Sequence, residues 1–314
     1  MIQFRPVKIV FMGSPEFAMP VLESLVSSHQ VLAVYTQPDR PSGRGLSPTP
    51  SPVKRQALAL GLKVIQPKSL KPAEEAASLQ ALKPAAIVVA AYGLLIPRSI
   101  LDIPPLGCLN VHPSLLPRHR GASPVTAAIL SGDSLTGVSI MLLDEGWDTG
   151  PILAQVSTPI LAADTTGSLT ARLSELGAQL LETTLPRWQA GEIKPQPQDQ
   201  SRATYSQTLR KEEGELDWTL PSQDLERKVR AFQPWPGCYT RWRGKMLKVL
   251  QAEVVVGSEE PGRVIGKDEI IGVGTGKGLL KLKVVQLEGK KAMDIQDFVR
   301  GQPGFKGAIL PDIR

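Results

Sequence analysis

The sequence predicts an α/β fold in two parts: a mostly parallel sheet covered by helices, then a small β-rich barrel or sandwich. In the first half, short apolar runs alternate with amphipathic stretches of helical length, the pattern of strands buried on both faces and joined by crossover helices. A polar, proline-bearing segment, GEIKPQPQDQSRATYS at 191–206, then reads as a linker. Beyond it, WPGCYTRWRGKMLKVLQAEVV, PGRVIGKDEIIGVGTG and GLLKLKVVQLE are β-like runs punctuated by glycine. The expected division is a first domain over 1–190, the linker over 191–206 and a second domain over 207–314.

Val7 to Met12 reads as a buried strand turned by Gly13, with Ser14 as N-cap and Pro15 opening a helix toward Ser27. Val31 to Thr36 is the second strand, and Ser51 with Pro52 repeats the cap-and-proline start of a helix stopped by Gly61. Strands follow at Lys63–Gln66, Ala85–Ala91, Gly107–Val111 and Gly137–Leu143, with helices at Pro72–Leu82 and Pro124–Leu130. A long helix from Thr166 to about Gln189 closes the first domain, and another at Ser222–Phe232 precedes the β-rich tail. Ligands of such sheets bind outside the carboxyl ends of the strands.

Two cysteines, Cys108 and Cys238, lie far apart in no metal-like spacing, so neither a disulfide framework nor a metal site is expected. The opening MIQFRPVKIVFMG lacks a signal peptide's features, and no apolar run suffices for a membrane span. A cytoplasmic protein is expected. The net charge is +6, and residues from 206 onward hold 19 basic against 15 acidic side chains. That excess permits a nucleic-acid partner without requiring one.

The glycine turn after the first strand is GSPEFA, which lacks the glycines that bring backbone against a pyrophosphate. Polar groups concentrate instead in CLNVHPSLLPRHRGASP, 108–124, and LLDEGWDTGPI, 142–152. Asn110 and His112 stand two apart at a strand end, so their side chains face the same way. A carboxamide donor can hold a developing oxyanion and an imidazole can move a proton. Asp148, in a turn at the end of the next strand, could orient that imidazole. The alternatives are a turn-capping Asn110, a satisfied half-buried His112 and an Asx-turn Asp148.

NVHPSLLPRHRGASP followed by DEGWDTGPI resembles the formyltransferase family that uses 10-formyltetrahydrofolate. FMGSPEFA, TQPDRPSGRG, AAYGLLIP, LRKEEGELDW and RAFQPWPG carry the resemblance along essentially the whole chain, toward the branch that formylates methionyl initiator tRNA. The resemblance implies a Rossmann-like domain followed by an OB-like β-barrel. It puts Asn110, His112 and Asp148 at the catalytic positions, and Ser114, Leu115, Leu116 and Pro117 at the folate-contacting loop. Tyr92, Gly93 and Leu94 would line the pterin pocket. His119 stands where relatives often carry tryptophan, and is expected to be a solvated loop histidine beside Arg118 and Arg120.

The acceptor rests on other features. TQPDRPSGRGLSPTPSP, 36–52, matches the family's loop that enters the tRNA acceptor stem, with Arg40 and especially Arg44 as its basic positions. Arg210 and Lys211 match further basic positions used against tRNA. Arg241, Arg243 and Lys245 alternate along an expected strand, so all three would share one face, as would Lys281 and Lys283, a surface suited to phosphate. The expected co-substrate is 10-formyltetrahydrofolate, the partner methionyl initiator tRNA, and the protein a monomer with no membrane or metal. A formyltransferase acting on a nucleotide-linked amino sugar and a catalytically silent tRNA-binding module are the rival readings.

Overall fold

Seven strands form the main sheet, in the spatial order Ile152–Pro159, Leu135–Leu142, Cys108–His112, Ala86–Ala90, Lys8–Gly13, Gln30–Tyr35 and Val64–Ile65. The computed structural model describes residues 6–42, 47–267 and 270–312. The five strands from Cys108–His112 to Val64–Ile65 pair in parallel, and the other two pair antiparallel. The inner strands read as unbroken apolar runs because both faces are covered: Ile9, Val10, Phe11, Met12, Ile87 and Val88 are all buried.

The chain divides into two compact units. The first comprises Met1–Pro124, Leu135–Pro159 and Thr170–Ser206, and the second comprises Val125–Ser134, Ile160–Leu169 and Gln207–Arg314. In this division residues 191–206 belong to the first unit rather than standing as a linker. The reason is visible in its hydrogen bonds: Tyr205–Ser206 pairs in parallel with Arg120–Gly121, and Gln196 bridges Ile152. Polar side chains there, among them Gln198, Thr204 and Ser206, make long-range contacts.

Most elements stand where the pattern puts them. Ser51 caps the helix Pro52–Ala59 by accepting from the Lys54 N–H, and the helix Thr166–Gln189 has its expected bounds. Ser14 caps nothing. A short 3₁₀ turn, Glu16–Ala18, intervenes before the helix Met19–Ser28, neither with a side-chain cap. The Ser14 hydroxyl instead accepts from the Gln37 N–H at 3.1 Å and lies 3.4 Å from the Tyr92 carbonyl, tying together the carboxyl ends of three strands. The strand Ile152–Pro159 is an unanticipated element, half-exposed and mixed in sequence, ILAQVSTP.

The second unit is built on an antiparallel sheet in the order Cys238–Trp242, Lys245–Val255, Leu279–Leu287, Ile270–Gly274, Val264–Lys267, with Met293–Asp294 added beside Leu279–Leu287. This is the small β domain expected of the tail. Its core includes Trp242, Phe298 and Phe305, whose rings meet edge to face with centroids 5.0 and 5.2 Å apart.

Candidate active site

Cys108–His112 is an inner strand, so all five of its side chains are buried. The two-residue alternation of a strand turns Asn110 and His112 to one face. Asp148 reaches them from the turn that follows Leu135–Leu142. That turn is set by Asp144, whose carboxylate accepts from the Gly146 N–H at 3.0 Å and the Thr149 hydroxyl at 2.7 Å. Asp148 itself has a left-handed backbone, φ +53. The Asn110 amide donates to Asp148 Oδ1 at 3.4 Å, the Gly121 N–H donates to Oδ2 at 2.8 Å, and His112 Nδ1 lies 3.6 Å from Oδ2. The carboxamide, imidazole and carboxylate therefore meet at one point.

One hydrogen bond fixes the tautomer of the neutral imidazole. His112 Nε2 lies 3.2 Å from the His119 carbonyl, and a carbonyl can only accept, so Nε2 carries the proton. Nδ1 then holds the lone pair and faces Asp148. Burial pushes the His112 pKa below its ordinary value of 6.5, while the Asp148 carboxylate and the His119 carbonyl work against that shift. The resting ring is neutral at pH 7. A proton arriving at Nδ1 meets a carboxylate that steadies it. Burial also pushes the Cys108 thiol up to about 12, which leaves no thiolate in this strand for a covalent route.

The Ser114–Pro117 loop follows directly. Its form depends on two residues the sequence did not single out, Ser139 and Gln155. Ser139 donates to the Ser114 carbonyl at 2.7 Å and accepts from the Leu116 N–H at 3.1 Å, while Gln155 donates to the Leu116 carbonyl at 2.9 Å and to Ser139 at 2.7 Å. Gly137 leaves room for it: a Cβ there would lie 2.0 Å from the Val156 carbonyl and 2.6 Å from the Leu115 side chain. The Ser114 hydroxyl is buried and donates to the Arg118 carbonyl at 2.7 Å, and Leu116 is buried, so Leu115 and Pro117 are the partly exposed members of the four.

Two expectations need correction here. His119 is 5% exposed and so is no solvated loop histidine, and Arg120 beside it is fully buried. The His119 N–H donates to Thr204, and Arg120 donates to Gln198, Gln200 and Tyr205, partners about 80 residues away. Tyr92 packs its ring into the apolar cluster with Tyr35, Leu70 and Leu79, with Leu94 against the same cluster. What the 92–94 run offers outward is exposed Gly93 and its backbone, with the Tyr92 carbonyl already accepting from Gln37 at 2.9 Å. Trp147, beside Asp148, is 69% exposed.

The basic positions are a different kind of surface. Arg40 lies in a short ribbon, Arg40–Ser42 against Ser47–Thr49, and donates to Gln37 at 2.7 Å. Arg44 lies outside the described residues. Arg210 and Lys211 are exposed at a 3₁₀ turn beside Glu212 and Glu213. Arg241, Arg243 and Lys245 do not share a face. Arg243 and Gly244 form a two-residue hairpin turn, both with positive φ, and Trp242 pairs with Lys245 while Arg241 pairs with Met246. Directly opposed residues lie on one face of an antiparallel pair, so Lys245 shares the face of Trp242 and Arg241 takes the other. Arg243 stacks 4.8 Å from the Trp242 ring, and Lys283 pairs with Glu253 at 2.9 Å.

Comparison with known proteins now decides the family. The profile described as formyl transferase matches residues 7–185, and that described as formyl transferase, C-terminal domain, matches 208–303. The chain belongs to the formyl transferase family. As a member it is an enzyme, a transferase. It is 50% identical over 296 residues to a methionyl-tRNA formyltransferase of Pseudomonas fluorescens (strain SBW25), covering 93% of each chain. Among solved structures, HypX from Aquifex aeolicus in complex with tetrahydrofolic acid is similar with a TM-score of 0.65 at 19% identity, matching 97% of this chain and 49% of that one. An N-formyltransferase from Helicobacter canadensis, in complex with folinic acid and dTDP-3-aminofucose, gives a TM-score of 0.66 at 18% identity, covering 88% of this chain and 98% of that one. These two likenesses concern the fold. Among the described residues no cluster of metal-ligating side chains occurs, and no helix is long and apolar enough to cross a membrane.

Proposed function

We propose that this formyltransferase transfers the formyl group of 10-formyltetrahydrofolate to the α-amino group of methionyl initiator tRNA, acting as a cytoplasmic monomer. The observation that carries the chemistry is the meeting of Asn110 and His112 on the two oxygens of Asp148. The acceptor follows from the likeness over 93% of the chain to a protein named for methionyl-tRNA. The donor set suits a formamide: an amide N–H for the carbonyl oxygen and a neutral imidazole for a proton. Leu115, Pro117 and the exposed backbone at Gly93 would hold the folate.

The folate supplies an N10-bound formyl carbon as the electrophile. As the amine adds to that carbon, Asn110 donates to the oxygen that becomes negative. His112 Nδ1 takes the proton released by the amine, and Asp148 stabilises the imidazolium that forms. Returning that proton to N10 lets the folate C–N bond break with charges balanced. Asp148 keeps one place throughout because the Gly121 N–H and Asn110 hold its two oxygens separately.

Purified protein incubated with 10-formyltetrahydrofolate and methionyl initiator tRNA is expected to yield formylmethionyl-tRNA, with a nucleotide-linked amino sugar as competing acceptor. Preferential formylation of the sugar would overturn the acceptor assignment. Asn110→Ala is expected to lower kcat by about 10²–10³-fold, the usual cost of one oxyanion donor. Near-normal turnover in that variant would falsify the role given to Asn110.

A further inference from the structure

Asp148 holds a left-handed backbone that a side chain other than glycine adopts at a cost. The hydrogen bonds of Asp144 within the turn reach Gly146 and Thr149 and not Asp148 itself. The amide nitrogen of Gln198 lies 2.8 Å from the Asp148 carbonyl and 2.7 Å from the Gly150 carbonyl, so its two N–H groups grip the turn on either side of Thr149. The other end of the same amide accepts from Arg120 Nε at 3.0 Å and Nη2 at 2.7 Å. A guanidinium has no acceptor and a carbonyl no donor, so the Gln198 amide has a single satisfied orientation. Arg120 Nη1 is itself held by Gln200 at 2.7 Å and the Tyr205 hydroxyl at 3.2 Å. Arg120 also directly precedes Gly121, whose N–H holds the Asp148 carboxylate. The carbonyl and carboxylate of Asp148 are thus anchored to the same two-residue stretch.

We infer that Gln198 is a positioning residue for the reaction, fixing Asp148 beside His112 through its backbone, with Arg120 holding Gln198 in register. The inference rests on the formyl-transfer reading above. Residues 195–206 then serve as the backing of the Asp148 turn.

Gln198→Glu keeps the acceptor for Arg120 but replaces both donors with an oxygen facing two carbonyls. The expected result is a kcat lower by about 10–100-fold, the scale of an ångström misplacement, with KM for folate and tRNA within about twofold. Gln198→Met, which adds no charge, serves where the glutamate variant melts below the assay temperature. Gln196→Ala, an exposed neighbour, checks that substitution in this segment is tolerated. A second readout needs no turnover. In the substrate-free protein, nuclear magnetic resonance titration of His112 should give a lower pKa in Gln198→Met than in the wild type, because the carboxylate that raises it drifts away. Wild-type kcat and an unmoved titration in the substituted proteins would overturn the inference, as would a loss confined to KM. Failure of the wild type to formylate methionyl-tRNA would instead count against the functional reading.

Discussion

The Asp148 site and the basic positions of the second unit are built on opposite principles. The groups that meet on Asp148, Asn110, His112 and Gln198, are buried and come from distant sequence, so function depends on their fixed placement. In the second unit the cations are exposed or half-exposed, and several sit beside acids: Lys283 on Glu253, Arg241 within 4.0 Å of Glu215, and Arg263 on Glu260. Chemistry at one carbonyl needs a fixed constellation, whereas holding a long polyanion needs only many weak contacts. Single substitutions should therefore act severely in the first region and mildly in the second.

The severest test is the carboxylate. Asp148→Asn keeps the size of the side chain but removes the charge that stabilises protonated His112, and kcat should fall by about 10³-fold or more. The imidazole pKa, already below 6.5 through burial, should fall further, because the opposing carboxylate is gone. Stability carries the same sign. A ring that resists protonation in the folded state leaves the unfolded chain binding protons more readily below pH 6.5. The contribution of His112 to stability is thus intact above 6.5 and lost as pH falls through its lower folded value. Thermal melts should drop more steeply below pH 6.5 in the wild type than in His112→Gln. Parallel curves would mean the buried ring is not what resists acid.

Next in size is the support under the folate loop. Ser139→Ala leaves the Leu116 N–H and one Gln155 N–H without their shared partner. An unsatisfied buried donor costs about 1–3 kcal/mol, to be read in denaturant melts. The KM for folate should rise more than that for tRNA. An equal change in both would separate the loop from the folate.

The difference between the regions also explains what the sequence disclosed. Asn110 and His112 were legible because a strand's alternation is local, and Ser51 because its cap partner is three residues away. His119 looked solvated because its partner, Thr204, lies 85 residues downstream in a stretch whose composition resembles a linker. Ser14 had the right neighbours for a cap, and only the arrival of Gln37 shows where its hydroxyl is used. The strand Ile152–Pro159 escaped notice since an edge strand open to solvent lacks an apolar run. Arg241, Arg243 and Lys245 misled through the turn itself. Arg-Gly is not the Asn-Gly signal of a tight hairpin, yet φ is +48 and +69 at the two positions.

That hairpin supplies the mildest test. If phosphate is held by dispersed charge, Arg241→Ala and Lys245→Ala, from opposite faces of the same ribbon, should each raise the KM for tRNA only about two- to fivefold, leaving kcat and the folate KM alone. Losing a genuine phosphate contact should also reduce the salt dependence of tRNA binding by about one in log–log slope. Since the two residues face opposite ways, a rigid duplex pressed on one face would register one substitution and ignore the other. The face that changes the slope is the face that meets the nucleic acid, and two unchanged slopes would remove this ribbon from the acceptor surface altogether.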